Sequence, residues 1–297
     1  MIVWLASFPR SGSLLLRQIL YYTMKQPSYH LGSDANEIEG AYSRRIERPL
    51  DEFVAESAET PERIFVKTHD QPSDKYPAIY VVRDGRATIA SFLKFERTFS
   101  PAEVNTMLHL ILGDHHFGDW STHYRAWHDR GGAATLTVRY DELVSAGPDL
   151  LKEIASFIGY EGAIAPWVNP IDEWRERHPG IVGQGKTVWE PPDEWTFVCD
   201  AVFWMLHGEL MEELELDDGQ RAAAPPDAVG RLLSELVPLT STAINRISEL
   251  KRACEEKEEV IAELARVCAE RESAIARVAA DAMEKESLIQ QLTRPSS

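Results

Sequence analysis

The apolar run Ile2-Val3-Trp4-Leu5-Ala6 passes through Ser7-Phe8-Pro9-Arg10-Ser11-Gly12-Ser13 directly into the amphipathic stretch Leu14–Leu20. A strand, a short Pro/Ser/Gly loop and a helix in that succession point to an α/β fold with the loop at a strand end. The first N–H groups of the helix have no partner within it, and its dipole turns its positive end toward the loop, so an anion is attracted there. Arg10 adds a full charge on a forked set of donors, and Gly12 lets the backbone approach the anion closely. An ATP-binding P-loop needs Gly-x4-Gly-Lys-Ser/Thr. Here no lysine follows the glycine, and the loop is shorter.

The pattern recurs along the chain. Ile2–Ala6, Ile64–Thr68, Ala78–Val82 and Ala134–Val138 read as buried parallel strands, each a continuous apolar run followed by a polar turn. Helices are expected over Ser13–Met24, Arg86–Phe95, Trp120–Arg130 and Pro148–Ile158. The expected architecture is a parallel sheet flanked by helices, with a P-loop-like phosphate loop. In Ala78–Ser91 a strand, a turn and a helix carry Arg83 at the strand's carboxyl end, where open α/β sheets bind ligands. The net charge of −17 over 297 residues argues against nucleic-acid or anionic-membrane partners. It leaves room for a phosphorylated ligand only where cations converge on one place.

Five segments, in order, resemble the PAPS-dependent sulfotransferase family, of bacterial type. Pro9-Arg10-Ser11-Gly12 after Trp4–Phe8 resembles its 5′-phosphosulfate loop. Lys67-Thr68-His69 resembles its Lys-Thr-His at the end of the second strand. Tyr80–Ser91 resembles its 3′-phosphate segment, with Arg83 and Ser91 eight residues apart as in the family. Gly118-Asp119-Trp120 with His123 and Trp127 resembles its Gly-x-Trp-x2-His-x3-Trp helix, and Arg139-Tyr140-Asp141-Glu142-Leu143 its Arg-Tyr-Glu-Asp-Leu segment. The resemblance spans about residues 2 to 215.

It implies transfer of a sulfuryl group from 3′-phosphoadenosine 5′-phosphosulfate (PAPS) to a hydroxyl or amine of a small-molecule or glycan acceptor, with no metal. His69 stands where the family's general base stands, and an imidazole near neutrality suits that task. Arg10 replaces the usual lysine; it stabilises leaving-group charge but gives up no proton. Lys67 is a second cation at the reacting group or a surface residue. Arg10, Ser11, Gly12 and Ser13 are expected on the donor's 5′ side, and Arg83 and Ser91 on its 3′-phosphate, unless Arg83 pairs with Asp84 at the surface. Tyr140 is an adenine contact or a core tyrosine. Trp120, His123 and Trp127 share one helical face and read as packing. By analogy, residues 26–62 and 96–118 line the acceptor pocket.

Two departures from the family stand out. Where its loop continues Thr-Thr-Trp, this chain has Ser13-Leu14-Leu15, which drops the ring that would stack on adenine. Its late Arg-Lys-Gly-x2-Gly survives only as Arg177-His178-Pro179-Gly180-Ile181-Val182-Gly183, with Arg177 or Lys186 as substitutes for the missing cations. These departures leave open a degenerate scaffold working through its tail. An ATP-dependent P-loop kinase is the third reading.

The transferase domain is expected over residues 1–216, a linker over 217–239 and a coiled-coil helix over 240–293. In the tail, Ile247, Cys254, Ile261, Cys268, Ile275, Ala282 and Ile289 recur every seven residues, with Leu250, Leu264, Val278 and Leu292 at alternate partner positions. Lys257, Arg271 and Lys285 occupy the other partner positions and weaken the seam or set its register. Such a helix would extend about 70–80 Å, as a spacer or as a stalk that joins copies of the chain into a homo-oligomer; the alternative is a lone helix folded back on the domain. Cys199, Cys254 and Cys268 form no CxxC and no metal-ligand spacing, which suits a reducing compartment. With no membrane-length apolar run, the chain is expected in the cytoplasm.

Overall fold

A computed structural model describes residues 1–31, 40–58, 60, 62–99, 105–178, 182, 183 and 185–239, with isolated positions at 252, 257, 258, 266 and 271. It divides into two compact units, Met1–Ala228 and Val229–Ser297. In the first unit the described strands are β1 (Ile2–Ser7), β2 (Ser28–Leu31), β3 (Ser43–Ile46), β4 (Ile64–Thr68), β5 (Ala78–Val82) and β6 (Thr135–Arg139). They form one six-stranded sheet in the order β3-β2-β4-β1-β5-β6, with every pairing parallel. The helices are α1 (Ser13–Met24), α2 (Leu50–Ala58), α3 (Gly85–Phe99), α4 (Met107–Leu112), α5 (Trp120–His128), α6 (Tyr140–Ser145), α7 (Pro148–Phe157), α8 (Ile171–Arg177) and α9 (Phe197–Glu213).

Four strands fall where the apolar runs place them, with β6 one residue later than expected. Strands β2 and β3, SYHL and SRRI, lie within the segment assigned to acceptor lining and carry no continuous apolar run. Strand β3 is the sheet's edge, where pairing on one side suffices and polar residues are tolerated, and β2 lies next to it between β3 and β4. Helix α5 stops at His128, short of Arg130, because Gly131 and Gly132 follow with φ 61° and 95°.

Strand alternation sends side chains to two cores. Val3, Leu5, Ile79, Val81 and Val138 pack with Leu16, Ile19 and Leu20 of α1 and with Leu143, Leu151 and Ile154 of α6 and α7. The intervening residues face the other way, toward α5: Trp4 meets Trp127 edge-on at 6.5 Å, and Tyr80 meets Tyr124 at 5.4 Å.

Residues 217–225, read from sequence as part of a linker, have no regular structure but are bonded to the first unit. Arg86, fully buried, donates to Asp84 at 2.7 Å and to Asp218 at 3.0 Å, between the rings of Trp189 and Trp204. The amide of Ala222 donates to Asp200, and Arg221 lies 3.3 Å over the ring of Trp204. Residues 228–239 are helical and expose Val229, Leu233 and Val237. The coiled coil expected over 240–293 lies outside the described residues apart from the isolated positions. Among the described residues no helix is long and apolar enough to cross a membrane.

A buried guanidinium that loses one of two carboxylates retains an under-compensated charge. Asp218→Ala in the full chain is therefore expected to lower unfolding stability by about 1–3 kcal/mol. The urea midpoint, compared with that of a surface control such as Asp149→Ala, measures it.

Candidate active site

The loop after β1 is built to leave donors unspent. Gly12, at φ 117°, precedes α1, and no side chain caps that helix. The amides of Leu15 and Leu16 both return to the Gly12 carbonyl, at 3.0 and 3.2 Å. The N–H groups of Ser13 and Leu14, in the first helical turn, are left without intrahelical partners. The Ser11 hydroxyl is buried and has no partner among the described residues. Arg10 itself has φ 69°, an unusual conformation for a residue with a side chain, which aims it back over the loop. Gly12 is required twice over, since a Cβ there would lie 2.6 Å from Tyr140 Cδ2 and the positive φ disfavours any L side chain.

The two arginines separated by 73 residues meet here. Arg83 Nη1 donates to the Arg10 carbonyl at 3.3 Å, and its guanidinium lies 4.4 Å over the Tyr140 ring. Arg83 Nη2 donates to the carbonyl of Lys186 at 2.9 Å. Arg10 Nε reaches Ser91 Oγ at 3.4 Å, and its guanidinium lies over Phe95. Arg10, Arg83, Ser91 and Tyr140 thus form one cluster around Gly12. Burial, and then the neighbouring Arg83, push the Arg10 pKa down to about 10, against the pull of Tyr140. Burial also lowers that of Arg83. An anion between the two would relieve both effects. Asp84, the alternative partner for Arg83, is taken by Arg86 instead.

Lys67 and His69 come off β4 beside this loop. Lys67 is buried, which leaves no room for the surface reading. His69 Nδ1 lies 2.8 Å from the carbonyl of Ser7 and 3.3 Å from its hydroxyl. A carbonyl only accepts, so Nδ1 carries the hydrogen and Nε2 keeps its lone pair. Among the described residues Nε2 has no hydrogen-bond partner. Burial, followed by the charge of Lys67 and by smaller effects of His123 and Arg10, holds the His69 pKa well below the ordinary histidine value, against the Ser7 bond. The imidazole is neutral at pH 7. Phe117 stands edge-on to it at 6.0 Å.

The late segment behaves differently from its sequence reading. Gly183 lies beside Arg10, 3.9 Å from Nη2 to the position of an added Cβ. Lys186, however, pairs with Glu190, Arg177 pairs with Glu173, and His178 packs on Trp174. Neither substitute cation is directed to the cluster, and Lys186 contributes its backbone carbonyl instead. A cavity of about 230 Å³ opens next to Arg83 and Tyr140, with Trp189, Asp84 and Asp217 in its wall. Nothing in the local sequence marks Trp189 as a neighbour of Tyr140; only the return of the chain after α8 brings it there.

His123 and Trp127, read as packing residues, have a further task. His123 Nε2 bonds the His69 carbonyl at 2.8 Å, and Trp127 Nε1 bonds that of Asp70 at 3.1 Å. Trp120 does pack, against Phe203 and His207.

A parallel α/β sheet thus carries at its strand ends an uncapped helix start, two neighbouring arginines and a neutral histidine. Residues 2–172 match the sulfotransferase domain family, and the chain belongs to it. It is thereby a sulfotransferase by family. No curated protein matches the sequence. Solved structures similar to it include mouse sulfotransferase SULT7A1 complexed with PAP, at 18% identity and TM-score 0.47, covering 72% of this chain and 88% of that one. Retinol dehydratase in complex with androsterone and the inactive cofactor PAP has 17% identity and TM-score 0.43, covering 76% and 83%. A sulfotransferase from Alicyclobacillus acidocaldarius has 9% identity and TM-score 0.40, covering 74% and 96%.

The Gly12 contact gives a direct test of the loop. Gly12→Ala is expected to destabilise by roughly 1–3 kcal/mol. Gly132→Ala adds a Cβ at φ 95° with nothing within 4 Å, so it carries backbone strain without a clash. Thermal unfolding of both variants isolates the Tyr140 contribution as the difference between them.

Proposed function

We propose that this chain transfers a sulfuryl group from PAPS to a hydroxyl or amine of a small-molecule or glycan acceptor, with His69 as general base. The observation that carries the reading is the meeting of Arg10 and Arg83 over Gly12, beside an uncapped helix start and the partnerless Ser11 hydroxyl. These are the groups an anionic donor needs, gathered in a molecule of net charge −17. Arg10, Ser11, Gly12 and Ser13 would hold the 5′-phosphosulfate, and Arg83 and Ser91 the 3′-phosphate. Tyr140 and Trp189, in the wall of the cavity beside Arg83, would take the adenine in place of the ring missing from the loop.

When bound, the donor supplies an activated sulfuryl group. The chain's own part is to bind, orient and move one proton. His69 Nε2, free to accept because Nδ1 is committed to Ser7, would take the proton of the acceptor as its oxygen or nitrogen bonds to the sulfuryl group and the bridging S–O bond to the departing phosphate breaks. Arg10, Lys67 and the loop amides face the charge that grows on the departing phosphate. Arg10 acts there as a fixed charge and keeps its protons. The heptad pattern of the tail supports a homo-oligomer or spacer role for residues 240–293, and the cysteine usage supports a cytoplasmic site of action.

His69→Ala is expected to lower transfer from labelled PAPS by at least 100-fold. Its affinity for adenosine 3′,5′-bisphosphate, measured by calorimetry, should stay within about threefold, because the ring is not among the anion's holders. Turnover that survives the substitution removes His69 as the base. Failure of the unsubstituted chain to bind the bisphosphate, or preference for ATP with Mg²⁺, removes the donor assignment.

The pH dependence follows from the sign of the His69 shift. The active form is the neutral ring, and burial with Lys67 holds its pKa well below 6.5. Activity should therefore persist as pH falls through 6.5 and decline only where the lowered pKa is crossed. In the free enzyme kcat/KM reports this limb. Lys67→Met removes the nearest cation and should move the limb toward the ordinary histidine value.

A further inference from the structure

The base is held at both its ring and its main chain. The Ser7 carbonyl, at the start of the loop, accepts from His69 Nδ1 at 2.8 Å. The Tyr80 hydroxyl lies 2.8 Å from His123 Nδ1, and His123 Nε2 lies 2.8 Å from the carbonyl of His69. An open circuit of hydrogen bonds thus runs from Tyr80 through His123 to the His69 main chain.

Each direction in the circuit is forced. The His69 carbonyl only accepts, so His123 Nε2 must carry the hydrogen. His123 is fully buried, and burial lowers its pKa to about 4, so its ring has one hydrogen and Nδ1 must accept. Tyr80, also buried, is the donor to it. Trp127 adds a second N–H from the same face of α5, one helical turn on, to the Asp70 carbonyl. The Asp70 amide closes on Thr68 Oγ1 at 3.0 Å. Residues 69 and 70 follow a strand end and would otherwise be a free loop.

We propose that Tyr80 and His123, with Trp127, are positioning residues that fix the main chain of residues 69 and 70 and thereby keep the His69 ring and its tautomer set on the Ser7 carbonyl of the 5′-phosphosulfate loop. Tyr80 holds His123 in the tautomer whose Nε2–H meets the His69 carbonyl, and Trp127 holds the Asp70 carbonyl beside it. A displacement of the loop would move the base with it, so donor and base stay in register. This rests on the assignment of His69 as base.

The test uses the full chain with labelled PAPS, and imidazole ¹⁵N spectra with His69 assigned by its absence in His69→Ala. In the unsubstituted protein, His69 is expected as the Nδ1–H tautomer and His123 as the Nε2–H tautomer. Tyr80→Phe and His123→Leu should each lower kcat by about 10- to 100-fold, the loss typical of a misplaced catalytic group. The KM for PAPS and the affinity for adenosine 3′,5′-bisphosphate should stay within about threefold, because neither residue touches the anion's holders. His123→Gln, whose amide reaches the same carbonyl, should recover part of the loss. The His69 resonance should move toward a tautomer mixture in His123→Leu and return in His123→Gln. Equal kcat per folded molecule in all variants, or an unchanged His69 tautomer in His123→Leu, overturns the proposal. The wrong tautomer in the unsubstituted protein overturns it even if His123→Leu fails to fold. Loss of turnover in the unsubstituted enzyme, with the expected tautomers present, would instead count against the sulfuryl-transfer reading.

Discussion

Strand β1 lies between β4 and β5, and the pairing sets Ala6 opposite Thr68 and Ser7 opposite Val81. Because the three strands run parallel, their carboxyl ends finish along one edge of the sheet. The first residues beyond that edge are the Phe8–Gly12 loop, His69 and Arg83, separated by tens of residues in the chain and brought together by register. A slip of one residue would turn Trp4, Ala6 and Tyr80 from the α5 face to the α1 face. It would remove Tyr80 from His123 and Arg83 from Arg10 at the same time. Ladder registry, enforced by two dry faces, is what the site depends on.

Within that frame the electrostatics oppose one another in a useful way. Arg10 and Arg83 are held close in a half-buried place, and both are pushed toward losing charge by desolvation. Burial first, and then the charge of Lys67, keeps His69 neutral beside them, with Arg10 adding a smaller push. A site that raises the cost of its own positive charge favours an anion and simultaneously keeps a base unprotonated. The acidic remainder of the molecule discourages other anions, and the arginine needed for the fold, Arg86, has its own carboxylates at Asp84 and Asp218.

Much of this was legible from local residue patterns. The four apolar runs became β1, β4, β5 and β6, and the proline, glycine and arginine between β1 and α1 marked the loop. Arg10, Arg83, Ser91 and Tyr140, all named from those motifs, lie together around Gly12. Strands β2 and β3 were not legible, because each is only four residues long, and neither SYHL nor the edge strand SRRI has a run long enough to distinguish it from a loop. His123 and Trp127 were seen as packing, since a helical face shows which side is buried but not which polar atom on it meets a carbonyl. Tyr80 carried no signal at all: a tyrosine in an apolar strand reads as core. The boundary near residue 216 was drawn where prolines and acids begin, whereas Asp218, Arg221 and Ala222 are bonded to the first unit.

By itself, the chain's order of residues determined the fold class, the loop between β1 and α1 and the identity of the chemical groups, because these depend on spacings of a few residues along a strand or a helix. Tertiary structure alone decided which nitrogen of His69 is free, which carboxylates claim Arg86, and that Lys186 offers a carbonyl in place of its charge. Those outcomes depend on hydrogen-bond directions between segments tens of residues apart, and direction is fixed only when the layers pack.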